Sequence, residues 1–362
     1  MFLLKKRGLL FYFLFITLPI FGQQQLKPNV SYLRSLRMRY EHLEEDNEEA
    51  IPFAHNYIEQ AKLHKKYEHI FQGYKVLIFY SKDRRAKLVY ADSCVAYATE
   101  SGNAELISHA YLSRGIVYYF FLKKYQTALD EYLKAYDHAQ KIKNEYLKTR
   151  IIYHVGVAKS YLGYYEEALE LFEQCIGYFE PIIHSDAHPT IIRNNQKGYF
   201  NSLHQQIICY QNLNNLAKSD SLTTIGLSAL PEERVFLLEK AYFLKSSGIS
   251  AFHKSEYHKA ITAFNQALPQ LQYFDFAWTS VSYFYLGKSY LQLQETEKAI
   301  SYFQKVDSIF QEKKFILPEV RYRFTAKTRT VRSQKSLSKK GTHAVGSCQE
   351  IQHEYDLLIT SN

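Results

Sequence analysis

The chain has 362 residues, of which 46% are hydrophobic, enough for two domains or one elongated repeat array. A mean hydropathy of −0.33 excludes a polytopic membrane protein. Only 14 Gly and 8 Pro are present, which favours helices over strands and tight turns. The net charge of +9 comes mainly from residues 313–340, whereas residues 23–312 are nearly balanced. A basic nucleic-acid-binding body is therefore excluded, and no nucleic acid is expected as a partner.

The N-terminus has the layout of a secretory signal. Lys5, Lys6 and Arg7 precede an apolar run at residues 9–21, and three glutamines follow Gly22. The run is shorter than the roughly 20 residues that a spanning helix needs, so we expect residues 1–22 to be a cleaved signal peptide. The alternative is an uncleaved anchor, the one case in which the chain would contact a membrane. Either case predicts export to the periplasm or cell envelope.

The four cysteines do not form a close pair of the metal-binding or redox type. Cys175 and Cys209 lie on successive predicted helices, so a disulfide between them is conceivable in an exported protein. Each cysteine falls on the apolar side of its helix, which favours the simpler interpretation that they are small buried residues.

A repeat of about forty residues is the strongest pattern in the sequence. In three segments, Gly is followed by Ala after twelve residues, by Phe after four more and by a small residue after three more. These sets are Gly156, Ala168, Phe172, Cys175; Gly248, Ala260, Phe264, Ala267; and Gly287, Ala299, Phe303, Val306. Looser copies are Gly73, Ala86, Tyr90, Ser93; Gly115, Ala128, Tyr132, Ala135; and Ile207, Ser219, Thr223, Gly226.

The spacing is typical of antiparallel helix pairs. Gly in the first helix allows the second helix to approach closely, Ala faces it, and the ring four residues later fills the adjacent space. Stacked pairs then share a continuous core. The pattern resembles the tetratricopeptide repeat family over residues 67–312, with an earlier helical pair at 32–64. This resemblance implies an all-α, right-handed α-solenoid, with the helical array at residues 32–316.

The repeat length departs from that family. The repeat steps exceed its usual 34 residues, which implies longer helices or linkers. HEAT-like repeats have steps nearer to these, but they lack the Gly-to-Ala spacing. The longest step contains residues 181–198, which two prolines and two adjacent Asn predict to be a loop. Its His184, Asp186 and His188 are better explained as a solvated turn than as a metal site.

In such solenoids the first helices line the inner surface, so we expect a ligand to contact one stripe along them. Aromatic side chains dominate the early pairs and Lys or His the later ones, which suits an extended peptide with apolar anchors and some acidic character. The alternative is that several of these rings pack against neighbouring helices. The candidate peptide-binding residues are Phe71, Phe79, Phe121, Tyr153, Tyr161, Lys245, His253, Phe284 and Lys288.

No sequence motif for catalysis or nucleotide binding is found, so we expect no catalytic residues, no cofactor and no metal, and the chain is predicted not to be an enzyme. We predict a protein or peptide ligand instead.

The C-terminal tail, residues 325–362, is basic in its first part and poor in rings, which is typical of a disordered or non-native segment. The chain combines a predicted signal, aromatic-rich repeats and a repeat array that stops within a unit. This combination resembles the exported sensor part of bacterial regulators of the LuxR or AraC type. A truncated sensor of such a regulator is therefore the alternative to an envelope scaffold for protein binding. No helix-turn-helix is recognised in this chain, so DNA binding is not carried over.

Overall fold

The computed structural model describes residues 28–313, and every long element in this range is an α-helix. The predicted signal peptide and C-terminal tail lie outside the described residues. The helices are α1 Pro28–Met38, α2 Ile51–Leu63, α3 Tyr67–Tyr80, α4 Arg84–Ser101, α5 Ala104–Ile116, α6 Tyr125–Ala139, α7 Glu145–Tyr161, α8 Tyr165–Ile183, α9 Pro189–Asn212, α10 Leu216–Ala229, α11 Leu237–His253, α12 Tyr257–Phe274, α13 Phe276–Gln292 and α14 Thr296–Lys313.

These helices form seven successive pairs, from α1/α2 to α13/α14, within the described range. The prediction of an all-α repeat of helix pairs is confirmed, including the early pair. The chain divides into two compact units. Unit 1 ends at Ser246 and unit 2 begins at Ser247, both within α11.

The predicted glycine contact is present in four pairs. A Cβ placed on Gly156 would lie 2.8 Å from the Phe172 ring, and one on Gly248 would lie 2.9 Å from the Phe264 ring. Gly287 meets Phe303 in the same way, and Gly115 meets the ring of Tyr132. The alanines and small residues of the pattern are buried as well. Close helix approach is therefore secured by a ring that occupies the place of a side chain.

The copy assigned to Gly73 is wrong. A Cβ on Gly73 would lie 2.3 Å from Ile58 of the preceding helix α2, so this glycine does not face α4. The buried side of α4 carries instead Lys87, Ala91, Cys94, Val95 and Ala98. The prediction for this copy is wrong because glycine is needed at contacts between helix pairs as well as at contacts within a pair.

The predicted loop at residues 181–198 is mostly helical, which is a second correction. Helix α8 continues through Pro181 to Ile183, and α9 begins at Pro189, where proline suits the first helical turn. His188 caps α9 by accepting a hydrogen bond from the Thr190 amide at 3.3 Å. The long repeat step therefore comes from a 19-residue and a 24-residue helix, not from a long linker.

Tight turns join the two helices of most pairs, and each places one residue at positive φ. These residues are Lys123, Gly163, Asn214, Ser255 and Gln294. The following amide donates back to the last helical turn, as from Glu295 to the Tyr290 carbonyl at 2.9 Å. Only one of the five is glycine, so the other turns store backbone strain.

The cysteines in the described range, Cys94, Cys175 and Cys209, are buried and free. The interpretation of these three as small buried residues is confirmed. Cys348 lies outside the described residues.

Gly156→Ala should destabilise the protein by about 1–3 kcal/mol, because the new methyl group overlaps the fully buried Phe172 ring. Chemical denaturation followed by circular dichroism measures the change. Gly177→Ala on α8 is the matched control, since a Cβ there meets nothing within 4 Å, and it should stabilise by about 0.5–1 kcal/mol. Equal effects of the two substitutions would contradict the glycine–ring contact.

Gln294→Gly should stabilise the α13/α14 turn by about 0.5–1 kcal/mol. A φ of 64° is unfavourable for glutamine but not for glycine, so the substitution removes backbone strain from the folded state. The greater backbone freedom of glycine in the unfolded chain offsets only part of this stabilisation. Gln304→Gly, at an exposed position inside α14, should instead destabilise by about 1 kcal/mol. Thermal denaturation of both variants checks the opposite signs.

Candidate functional site

The candidate residues chosen from the sequence differ widely in exposure. Phe79, Phe121, Tyr153 and Tyr161 are partly exposed in unit 1, and His253 is exposed in unit 2. Those that the structure buries are Phe71, Lys245, Phe284 and Lys288.

The buried candidates offer no surface to a ligand, and we remove them from the contact set as a correction. Phe71 packs into the α3–α5 core, and Phe284 packs against Phe303 with ring centroids 6.2 Å apart. The Lys245 ammonium lies 3.2 Å from Nε2 of His204. The physical reason is that rings and long side chains on this stripe fill the space against neighbouring helices, as the alternative stated.

The remaining aromatic candidates include a ring cluster in unit 1. The Tyr161 ring stacks on Tyr125 at 3.6 Å and meets Tyr119 edge-on at 6.0 Å. Tyr119 belongs to a π-helical turn, Val117–Phe121, that extends α5. In a π-helical turn, consecutive side chains point in directions that differ from those in an α-helix. Several rings are therefore partly exposed at this end of the pair.

A group of basic side chains lies on the first helices of three successive pairs. We call Lys75 of α3, His109 of α5 and Arg150 of α7 the cationic group. Lys75 and Arg150 are each only 8% exposed, while His109 is partly exposed. The Lys75 ammonium lies 5.3 Å from the centre of the Phe71 ring, and that ring lies 6.0 Å from the His109 ring. Lys75 of α3 and His109 of α5 therefore lie beside the same Phe71 ring.

The charges of the group act on the ionisation of its members. Burial lowers the pKa of His109, and the charges of Lys75 and Arg150 lower it further, so the imidazole is neutral at pH 7. Burial and the Arg150 charge lower the pKa of Lys75 to about 8. Burial also lowers the pKa of Arg150, but guanidinium stays protonated in proteins. Two positive charges therefore lie close together at neutral pH.

Aromatic side chains of α7 flank the cationic group. Tyr146, Arg150, Tyr153 and His154 follow one another at helical spacing, so they share a side of the helix. The Arg150 guanidinium lies 6.0 Å from the centre of the Tyr146 ring. Nδ1 of His154 is buried without a hydrogen-bond partner among the described residues, and burial with the nearby Arg150 charge lowers the pKa of His154 to about 3. We call the side of unit 1 that carries the cationic group and Tyr153 the first-helix face.

Sequence reasoning missed His109, Arg150 and His154, although a signal was present. His109 and Arg150 each stand six residues before the pattern glycine of their helix, Gly115 and Gly156. Equivalent positions in stacked repeats lie next to one another, so this shared offset predicts convergence.

Other possible sites are weaker. A cavity of about 250 Å³ lies between α6, α7 and α8 and is lined by Leu133, Tyr136, Leu171 and the Lys159–Glu167 ion pair, among others. His184, Asp186 and His188 are exposed in the α8–α9 turn, and within residues 28–313 no cluster of three potential metal ligands is found. No helix of the described part is both long and apolar enough to cross a bilayer.

Lys75→Met should stabilise the protein at pH 7 by about 1–3 kcal/mol, since a pKa lowered from 10.5 to about 8 measures the cost of keeping this charge in the folded state. The cost is present in full below pH 8 and fades as pH rises towards 10.5, where the lysine is neutral in both states. The stability gap between the variant and the wild type should therefore narrow from pH 7 to pH 9.5. Urea denaturation at fixed ionic strength measures it, and a destabilised variant at pH 7 would contradict the prediction.

Comparisons with known proteins find sequence profiles and solved structures that are similar to this chain. Sequence profiles described as tetratricopeptide repeat match residues 149–180, in α7/α8, and residues 281–310, in α13/α14. No curated protein matches the sequence significantly.

Solved structures share the fold at low sequence identity. NprR in complex with its cognate peptide NprX has a TM-score of 0.58 and 14% identity, over 91% of this chain and 96% of NprR. The Rap conjugation gene regulator of plasmid pLS20 in complex with the Phr* peptide has a TM-score of 0.55 and 16% identity, over 90% and 84% of the two chains. Aspartyl phosphate phosphatase F from Bacillus subtilis has a TM-score of 0.55 and 17% identity, over 78% and 68%. The chain thus contains two segments that match the tetratricopeptide repeat and has the helical-repeat fold of these solved structures.

Proposed function

We propose that this protein is a non-enzymatic scaffold that binds an extended peptide, or an extended segment of a protein partner, on the first-helix face of unit 1. The observation that carries the proposal is the chemistry of this face, where the partly exposed Tyr153 ring shares a side of α7 with the buried Arg150 guanidinium. Rings supply contact area at low entropic cost, and buried charge supplies specificity, so the combination suits a peptide better than a small apolar ligand.

Two structural relatives support the peptide as ligand. NprR and the Rap regulator of pLS20 were each determined with a bound peptide, and each aligns with about nine tenths of this chain. The third relative is named a phosphatase, but the cationic group here combines Lys, His and Arg with no nucleophile or metal ligands in a recognised arrangement. We therefore propose binding without catalysis.

The location of the protein is a separate part of the proposal. The cationic and apolar stretch at residues 1–22 supports export to the periplasm or cell envelope, either with cleavage of the signal or with residues 9–21 as an anchor. The truncated-regulator alternative stays a hypothesis. Fractionation of cells that express the full chain, with N-terminal sequencing of the product, tests export, and translation of the downstream gene region in all frames tests the alternative.

Tyr153→Ala in the full chain should weaken peptide binding at least about tenfold, because central aromatic contacts commonly contribute more than 1 kcal/mol. Peptides are first selected from a display library of random 12-residue sequences on the wild-type protein, and affinities are then measured by fluorescence anisotropy. Tyr164→Ala is the matched control, since this ring is 51% exposed and stands at the α7–α8 turn rather than on the first-helix face. Circular dichroism verifies that both variants stay helical.

Two outcomes would contradict the proposed function. One is that the wild-type protein selects no peptide above background. The other is that the selected peptides bind equally well to the wild type and to Tyr153→Ala.

A further inference from the structure

The cavity of about 250 Å³ between α6, α7 and α8 lies on a different side of unit 1 from the first-helix face. On α7 it is lined by Ile152, Val155 and Lys159, whereas Arg150 and Tyr153 belong to the first-helix face. At 3.6 residues per turn the two sets lie about half a turn apart, so they point to opposite sides of α7. We call this cavity and the residues that line it the outer groove.

The interior of the outer groove is apolar. Ile152 and Val155 form its floor and are only 6% and 4% exposed. Leu133 and Tyr136 of α6 and Leu171 of α8 line its sides. Leu133 is 42% exposed, so an apolar group that enters the groove also removes this side chain from water. The volume of about 250 Å³ is below the roughly 300–1,000 Å³ of typical small-molecule pockets, so the groove suits one large side chain.

The rim of the outer groove is acidic. The Lys159 ammonium pairs with Glu167, so these two charges cancel. Glu170 also lines the groove, and it forms no ion pair with any residue of the range 28–313. Glu166 and Glu173 stand four residues before and three residues after Glu170, so the three carboxylates share a side of α8. All three residues are exposed, and no ion pair within the described part of the chain neutralises Glu166 or Glu173.

The two second helices that border the outer groove add no free Lys or Arg to this rim. Helix α8 contains five glutamates and neither lysine nor arginine. On α6 the single lysine, Lys134, pairs with Glu131, while Asp130 and Asp137 are exposed. The apolar opening is therefore surrounded by net negative charge, which attracts a basic partner and repels an acidic one.

We propose that the outer groove binds a basic segment of a protein partner, which inserts one large apolar side chain between α6 and α8 and places Lys or Arg beside it. The apolar side chain covers Leu133 and Leu171 and supplies most of the affinity. The flanking cations pair with Glu170 and with a neighbouring glutamate of α8, which orients the segment along this helix. Because these carboxylates are exposed, the ion pairs form without a large desolvation cost. The outer groove is separate from the first-helix face, so one chain can hold two ligands at once.

Selection on the full wild-type chain at low ionic strength, from the same random display library, provides the probes. We expect a group of peptides that share one Phe, Trp or Leu flanked by Lys or Arg, and that bind Tyr153→Ala as tightly as the wild type. Exchange of the apolar residue for Ala should weaken their binding about tenfold or more. Exchange of the flanking bases for Gln should weaken it about threefold or more, and added salt should reduce this difference.

Variants of the chain locate the site. Glu170→Lys should weaken binding of these peptides about threefold or more, since it replaces an attraction by a repulsion. Glu180→Lys is the matched control, because Glu180 is an exposed glutamate of the same helix about 15 Å further along. Leu133→Ser should also weaken binding about threefold or more. Its matched control is Ile225→Ser, at a position of α10 that is 44% exposed. Both controls should leave binding nearly unchanged, and circular dichroism verifies that all four variants stay helical.

Three outcomes would overturn the proposal. One is that no selected peptide loses more affinity in Glu170→Lys or Leu133→Ser than in the matched controls. Another is that the peptides that do lose affinity carry no base beside their apolar residue. The third is a dimer of the wild-type chain in sedimentation experiments that Glu170→Lys dissociates, because the occupant is then a second copy of the chain. Peptides whose binding depends on Tyr153 leave the proposed function intact in each case.

Discussion

The structure depends on the contact between a glycine in one helix and an aromatic ring in the next. Within pairs this contact joins Gly156 to Phe172 and Gly287 to Phe303. Between pairs it recurs with the roles exchanged, since a Cβ on Gly198 of α9 would lie 2.4 Å from the Phe179 ring of α8. A flat ring covers more backbone than an aliphatic side chain does, so helices approach closely without a void. This explains how a chain with many Tyr and Phe but two Met fills its core.

Close approach of the helices has a consequence for charge. Side chains at equivalent positions of successive first helices are brought together, and the array therefore turns a shared sequence offset into a spatial cluster. His109 and Arg150 occupy one such offset, and Lys75 joins them from α3. The fold compensates the buried Lys87 and Arg114 with carboxylates.

The corrections to the sequence-based analysis share one cause, which is that local patterns do not say which neighbour a residue faces. Gly73 fits the spacing of a pair, yet it contacts Ile58 of the preceding pair. Pro181 and Pro189 predict a loop, yet α8 continues through Pro181 to Ile183, and Pro189 begins α9, a position where a helix tolerates proline. Phe71 and Phe284 lie on the expected stripe, but neighbouring helices bury them.

The sequence by itself determined the helix pairs, because Gly, Ala and Phe at a fixed spacing express a contact between helices adjacent in the chain, where local geometry leaves few alternatives. It also determined which small residues, such as Cys175 and Ala267, face the core. Only the tertiary structure decided that Lys75 and His109 lie beside the same Phe71 ring, where the charge of Arg150 also acts on His109. Their proximity depends on how three pairs stack, and burial and charge compensation are properties of that assembled environment and not of any one segment.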